Sequence, residues 1–482
     1  MKTAASLAES RAIEFSTPWT HEARSSGGPP IALTDLGNSE RLVLAHGNDL
    51  RFLAGTRQWF AFDGRRFAPD ETAEVKRRAK AAMRAILLEA SVQDDDVQRR
   101  QLIAHQIRSE SDRSIRAAIS LAESDEKIAS RARDFDSDPF VLNVLNGTID
   151  LRTRLLRRHL REDLITKLAP VEFDAKAPAP TWESFLREIM DGDAEKISFL
   201  RRAVGYSLTG DVSEHVFFLL HGTGANGKST FLETLRFVFG DYAAQTEFST
   251  FLATKNGGVR NDIARLRGAR IVTAVESDAG RRLAENVLKS LTGGDVVAAR
   301  FLYSEYFEFR PAFKLWLATN NRPRIVGQDE AIWRRVRLVP FSVTVPEERR
   351  DPELLDKLKL EASGILNWAL AGLADWRARG LAAPSTITHA GADYRQREDA
   401  FGRFLEECLI ADRDSETRAS DLYKVYREWT DSNGELPARE KDFSESLVQR
   451  GFTKHRKSAG YVWKAIQIRL DRVSECMACS HK

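Results

Sequence analysis

The chain has 482 residues, 42% of them hydrophobic and 30% charged, a composition that predicts a globular protein of about three domains. No apolar run approaches the length of a membrane span and no signal-peptide core opens the chain, so a cytoplasmic protein without a membrane partner is expected. The net charge of +3 excludes a global basic field, so any nucleic-acid contact must come from local clusters. Three cysteines, Cys408, Cys476 and Cys479, are too few for a disulfide framework and fit a reducing compartment.

Residues 1–35, rich in Ser, Ala, Gly and Pro, predict a flexible arm. Residues 36–180 predict an α+β domain. Its features are a hairpin over Trp59–Phe67 turning at Asp63-Gly64, a basic helix over Glu71–Val92, a charged helical stretch over 94–134 and a strand-turn pattern over Leu142–Asp150. Lys76, Arg77, Arg78, Lys80 and Arg84 crowd the polar side of the basic helix, which reads mainly as a solvated face. Residues 181–345 alternate helix and strand, with apolar strands at 216–220, 270–275, 313–319 and 335–341, the pattern of an open α/β sheet. Residues 346–395 predict a helical extension. In 396–482, helices near 393–409, 418–432 and 440–450 precede an alternating strand pattern, the order of a winged helix. Cys476-Met477-Ala478-Cys479 lacks the second ligand pair that a zinc site needs.

The strongest signal is Gly222-Thr223-Gly224-Ala225-Asn226-Gly227-Lys228-Ser229-Thr230, set between an apolar strand and an amphipathic stretch. Strand, G-x-x-x-x-G-K-S and helix form a phosphate-binding P-loop in its required context. The glycines let backbone N–H groups approach phosphate oxygens at the positive end of the helix. Lys228 would pair with the β- and γ-phosphates of ATP, and Ser229 would hold Mg²⁺.

Neighbouring strands decide what kind of nucleotide enzyme this predicts. Glu276 ends an apolar strand, where a carboxylate binds Mg²⁺ through water or orients the attacking water; Asp278 is a possible assistant. Asn320 ends another strand, placed to hold that water without adding charge, with Asn321 as the fallback. Arg335, and second Arg334, are candidates to reach a neighbouring subunit's γ-phosphate. Between these elements, Val297–Tyr303 and Phe307–Phe309 predict a hairpin around Ser304-Glu305-Tyr306 that could line a channel.

The run from Gly222 to Phe341 resembles the superfamily 3 helicases, a branch of the AAA+ ATPases. More narrowly it resembles the phage and plasmid primase-helicase group related to the poxvirus-type nucleoside triphosphatase. The residues that carry the resemblance are 222–229, Glu276, Lys-x-Leu-Thr-Gly-Gly-Asp at 289–295, Ala-Thr-Asn at 318–320 and Trp-Arg-Arg-Val at 333–336. The resemblance implies an AAA+ P-loop ATPase core with an N-terminal α+β domain and a C-terminal helical and winged-helix part. It also implies a hexameric ring that moves along single-stranded DNA, with ATP and Mg²⁺ as cofactors. Many relatives carry Lys or His at the hairpin tip, where this chain reads Ser304-Glu305-Tyr306, so the resemblance moves the expected DNA contact to Arg300, Tyr306 or Lys289. The acid-free segment from Arg450 to Lys464 adds Lys454, Arg456 and Lys457 as DNA contacts, with a protein-docking surface as the alternative.

The expectation is therefore an ATP-dependent DNA helicase acting on single-stranded and forked DNA, encoded by a phage or mobile element in a bacterial cytoplasm. A separate primase or polymerase would supply primers. The rival is a DNA-binding initiator or regulator whose ATPase drives assembly rather than unwinding.

Overall fold

The computed structural model describes residues 31–469, apart from 254–260, 277–280, 302–305, 328, 411, 413–414, 436 and 459. Asp278, the hairpin tip at Ser304-Glu305 and Cys476/Cys479 lie outside the described residues, as does most of the expected N-terminal arm. The chain is mixed α/β and divides into two compact units. The first takes the chain through Pro178 and adds Phe237–Tyr242 and Ala362–Leu370; the second takes the remainder.

In the first unit, helices α1 (Asp35–His46), α2 (Glu74–Ser91), α3 (Asp96–Ser109) and α4 (Asp112–Ala122) accompany strands β1 (Leu50–Leu53), β2 (Gln58–Phe62), β3 (Phe67–Pro69) and β4 (Ala129–Ser130), in sheet order β3-β2-β1-β4. The stripe Val75, Ala79, Ala82, Met83, Ile86 and Ala90 buries one face of α2, and its small residues let neighbours approach closely. The opposite face is largely neutralised: Lys76 pairs with Asp112, Arg77 and Arg78 with Glu74, and Arg84 with Glu110. The stretch read as helical over 94–134 is two helices and a short strand. The Ser111 hydroxyl accepts from the Ser114 N–H and starts a new helix there. The first unit also holds a three-stranded antiparallel sheet of β5 (Val141–Val144), β6 (Gly147–Asp150) and β7 (Leu155–Arg157). The two later segments belong to this unit through specific bonds. The Asn143 N–H donates to the Tyr242 hydroxyl at 3.1 Å, the Leu168 N–H to Asp241 at 2.9 Å, and the Ser363 hydroxyl to the Glu172 carbonyl at 2.7 Å.

The second unit opens with α5 (Pro180–Ile189) and α6 (Ala194–Ser207) and is built on a five-stranded parallel sheet, ordered β14-β8-β13-β10-β9. Its strands are β8 (Phe217–His221), β9 (Ala243–Gln245), β10 (Ile271–Val275), β13 (Lys314–Thr319) and β14 (Val336–Pro340). A sheet covered on both faces needs continuous apolar strands, and all six residues of β13 are buried. Helices α7 (Lys228–Phe239), α8 (Asn261–Ala264), α9 (Glu285–Thr292) and α10 (Glu330–Trp333) connect the strands, and β11 (Val297–Ala299) pairs with β12 (Phe307–Phe309) as the expected hairpin. The short edge strand β9 was not expected. All strands of the sheet run the same way, so His221, Glu276 and Asn320 emerge along one edge.

After α11 (Leu354–Leu360) and α12 (Ala362–Arg379) comes α13 (Ser385–Glu398). The last region holds α14 (Ala400–Cys408), α15 (Ala419–Ser432) and α16 (Glu440–Gln449), with β15 (Leu409–Ile410) paired to β19 (Gln467–Ile468). A second sheet there has β18 (Gly460–Lys464) between β16 (Glu416–Arg418) and β17 (Lys454–Lys457). Trp463 is fully buried among Phe404, Trp429 and Phe443.

Trp182 of α5 is also fully buried and stacks on Phe231 of α7, with ring centroids 5.6 Å apart. Trp182→Ala is expected to destabilise the second unit by about 3–5 kcal/mol, read from a denaturant titration. A shift under about 1 kcal/mol would contradict this packing.

Candidate active site

The loop leaves β8 at His221 and enters α7 at Lys228. Two of its glycines are required by space. A Cβ on Gly222 would stand 2.1 Å from the Asn226 amide nitrogen and 2.3 Å from the Phe341 carbonyl oxygen. At Gly227, with φ +81°, a Cβ would come within 2.6 Å of Ile189. The Asn226 side chain donates to that Phe341 carbonyl at 3.2 Å and ties the loop to the chain just beyond β14. Gly224 and Ala225 have positive φ and turn the loop back toward the helix. Thr223, Ala225 and Ser229 are exposed, and Thr230 is half-buried.

Lys228 is only 6% exposed. Its ammonium donates to the Gly222 carbonyl at 2.6 Å, to Asn226 Oδ1 at 2.9 Å and to Asn320 Oδ1 at 3.1 Å. Among the described residues it has no carboxylate partner, and burial holds its pKa below the ordinary lysine range. The structure therefore brings Lys228 and Asn320 into direct contact.

Glu276 follows β10 and is buried. Its Oε2 accepts from the Thr319 hydroxyl and from the Asn321 N–H at 3.4 Å. Its Oε1 is buried with no hydrogen-bond partner among the described residues. Such an atom is poised to accept a hydrogen bond or bind a cation. Asn321 thus acts on Glu276 through its backbone, and the amide side chain at Lys228 is that of Asn320.

Arg335 and Arg334 stand elsewhere. In the parallel register Val336 is opposite Phe217 and Pro340 opposite His221, so Arg335 lies at the far edge of the sheet. Five strand residues separate that edge from the loop, roughly 16 Å. Arg335 is 9% exposed; it donates to the Ala331 carbonyl at 2.5 Å and its guanidinium lies against Gly293. Burial and the neighbouring Arg334 lower its pKa. Arg334, at the end of α10, is exposed.

The expected DNA contacts differ in their freedom. Lys289 is engaged by Asp329 at 2.5 Å, and that pairing holds the Asp329 carboxyl below its usual range. Arg300 lies 4.9 Å from the Tyr306 ring centroid, and Tyr306 and Phe301 are exposed beside it. In the last region, Lys454 donates to the Ser444 hydroxyl and stands over the Tyr461 and Trp463 rings, Lys457 pairs with Glu416, and Arg456 is exposed.

Three residues at the loop's edge were not singled out in the sequence. Arg322 lies two residues beyond Asn320, a spacing that could have flagged it. Tyr394, fully buried on α13, donates its hydroxyl to the Pro323 carbonyl, and burial raises its pKa. His221 is held below its ordinary pKa by burial, then by Arg322, Lys228 and Arg397.

Known proteins bear on this arrangement. Residues 39–191 match the family model described as D5 N terminal like, and residues 220–335 match a family of unknown function. A protein of Acanthamoeba polyphaga mimivirus is 28% identical over 354 residues, covering 68% of this chain and 37% of the relative. One from Frog virus 3 (isolate Goorha) is 30% identical over 281 residues, covering 54% and 29%. Both bear the name "Putative helicase", and the chain spans less than two fifths of either. The apo structure of the NrS-1 C terminal region (305-718) shares the fold with a TM-score of 0.50 at 11% identity, over 90% of this chain and 99% of that one. These likenesses agree with the resemblance to the superfamily 3 primase-helicases: residues 39–191 carry the D5 N terminal-like segment, and both of these relatives are viral.

Gly227→Ala places a side chain on left-handed backbone against Ile189. It is expected to lower stability by at least about 1–2 kcal/mol in a thermal melt. An unchanged melt would contradict the loop geometry.

Proposed function

We propose that the chain is a ring-forming, ATP- and Mg²⁺-dependent DNA helicase with an AAA+ P-loop core, working on single-stranded and forked DNA in phage or mobile-element replication. One observation carries the reading: the Lys228 ammonium, buried and held only by neutral oxygens at the carboxyl edge of a parallel sheet. A buried cation without a counter-ion favours an anionic ligand, and the flanking glycine-rich loop and helix start suit phosphate. Lys228 would meet the β- and γ-phosphates by exchanging its present acceptors. Ser229 and Glu276 would hold Mg²⁺, which supplies charge neutralisation at the phosphate oxygens. The free Oε1 of Glu276 would orient the attacking water, and the Thr319 hydroxyl keeps that carboxylate in place. Asn320 would exchange its contact with Lys228 for one with the γ-phosphate or the water.

Assembly follows from the arginines. Neither Arg334 nor Arg335 reaches the loop of its own chain, so either of them would serve the phosphate held by a neighbouring subunit. Exposed Arg334 suits that role, while buried Arg335 braces the turn at Gly293. That ordering reverses the one the sequence suggests. On the DNA side, Arg300, Tyr306, Phe301, Lys454 and Arg456 offer cations and exposed rings for phosphates and bases. The names of the viral relatives and the fold shared with the NrS-1 region support the reading.

The test is ATP turnover by purified protein with and without single-stranded DNA, and separation of a forked duplex. Stimulated turnover with strand separation is expected; tight duplex binding without separation would favour the initiator reading. Arg334→Ala should abolish turnover while sparing nucleotide binding, and mixing with Lys228→Ala subunits should restore part of it. Absence of rescue at every ratio would refute a shared site.

The lowered pKa of Lys228 sets a pH dependence. Phosphate binds the charged form, so affinity is full while the ammonium persists and falls as pH rises through its depressed pKa. ATP affinity, measured by titration from about pH 7 to 10, should therefore weaken before the ordinary lysine range of about 10.4. Lys228→Arg should flatten that decline, and a flat wild-type profile would contradict it.

A further inference from the structure

We propose that Arg322 is a second cation of the same subunit that binds the terminal phosphate of a nucleoside triphosphate, and that it reports this phosphate to α13. The inference rests on the nucleotide reading above. Asn320 touches the Lys228 ammonium at 3.1 Å, and two residues of chain add at most about 7 Å, so Arg322 begins at the mouth of the loop. Its guanidinium stands 5.8 Å from the Tyr394 ring centroid. Its Nη1 is buried, with no hydrogen-bond partner among the described residues. Arg322 forms no ion pair there, and neither does Arg397.

The surroundings are rich in positive charge. Burial and Arg397 lower the pKa of Arg322, while Tyr394, Asp393 and Glu398 on α13 oppose this. Glu398 already accepts from the Ile325 N–H at 3.2 Å. Arg322, Arg397 and Lys228 all act on His221, the residue that opens the loop. Like charges gathered without ion pairs favour a multiply charged anion, and a planar guanidinium with a free donor suits phosphate oxygens. The terminal phosphate of a triphosphate meets that need better than the single charge of each nucleic-acid phosphate.

Movement of Arg322 would not stay local. Pro323, the next residue, accepts the Tyr394 hydroxyl, and Tyr394 packs edge-on against Trp333 at 5.3 Å. Trp333 donates to the Gly327 carbonyl at 2.9 Å and immediately precedes Arg334. One run of contacts therefore joins the phosphate mouth, α13 and the arginine proposed to serve a neighbouring subunit.

The experiment titrates the full chain with a fluorescent, non-hydrolysable ATP analogue and with fluorescent ADP. Arg322→Gln is expected to weaken the ATP analogue about tenfold, which corresponds to roughly 1.4 kcal/mol, and ADP less than about twofold. Arg322→Lys should recover part of the loss, and melting without nucleotide checks folding. Should the glutamine variant fail to fold, Arg397→Gln, on the exposed side of α13, is expected to show a smaller loss confined to the ATP analogue. Equal losses for both nucleotides, or none, would overturn the proposal. So would a loss confined to single-stranded DNA binding without nucleotide, which would place the contact on the nucleic-acid backbone. Failure of the wild-type protein to bind either nucleotide would instead defeat the underlying nucleotide reading.

Discussion

Keeping the Lys228 ammonium nearly out of solvent, with oxygens but no carboxylate around it, constrains much of the second unit. Three acceptors must converge on one nitrogen, and they come from the loop's start, its middle and the end of β13. The loop can close that tightly only because Gly222 leaves room for Asn226 and Gly227 leaves room for Ile189. Asn226 in turn fixes the loop to the chain beyond β14. The parallel sheet supplies the common edge, since all its strands end on the same side. Burial, loop, sheet and helix are thus parts of one solution to holding a buried charge on neutral oxygens.

The same edge treats its acid differently. Glu276 is buried, yet one oxygen is held by Thr319 and Asn321 while the other is open. A carboxylate fixed at one atom and free at the other has a defined direction. Glu276 is thus an immobilised group with capacity left for a ligand, and Arg322, on the segment that follows Asn320, also keeps one buried nitrogen without a partner among the described residues. Lys228 differs, since its three acceptors would have to be exchanged.

Much of this was legible in the sequence because the physics behind it is local. Continuous apolar runs gave away β8, β10, β13 and β14, since a sheet covered on both faces tolerates little else. The tight loop from Gly222 to Lys228 was legible because its glycines are needed by backbone geometry. The strand β9 was not, because a three-residue edge strand carries no apolar run. The split between α3 and α4 was hidden in a charged stretch where only the Ser111 cap marks a boundary. Tyr394 was beyond reach for another reason: its role depends on where α13 packs, which no local pattern encodes. The unequal exposure of Arg334 and Arg335 was likewise out of reach, since two adjacent arginines do not reveal which one is buried.

The first unit is stitched from three separated stretches of chain, the last ending at Leu370. A ribosome delivers these in sequence, so Asn143, Leu168 and Glu172 wait for partners at Tyr242, Asp241 and Ser363 long after they have emerged. The amino-terminal unit therefore matures only when most of the polypeptide has been synthesised. A fragment cut at Pro178 would carry a surface with its closing pieces missing.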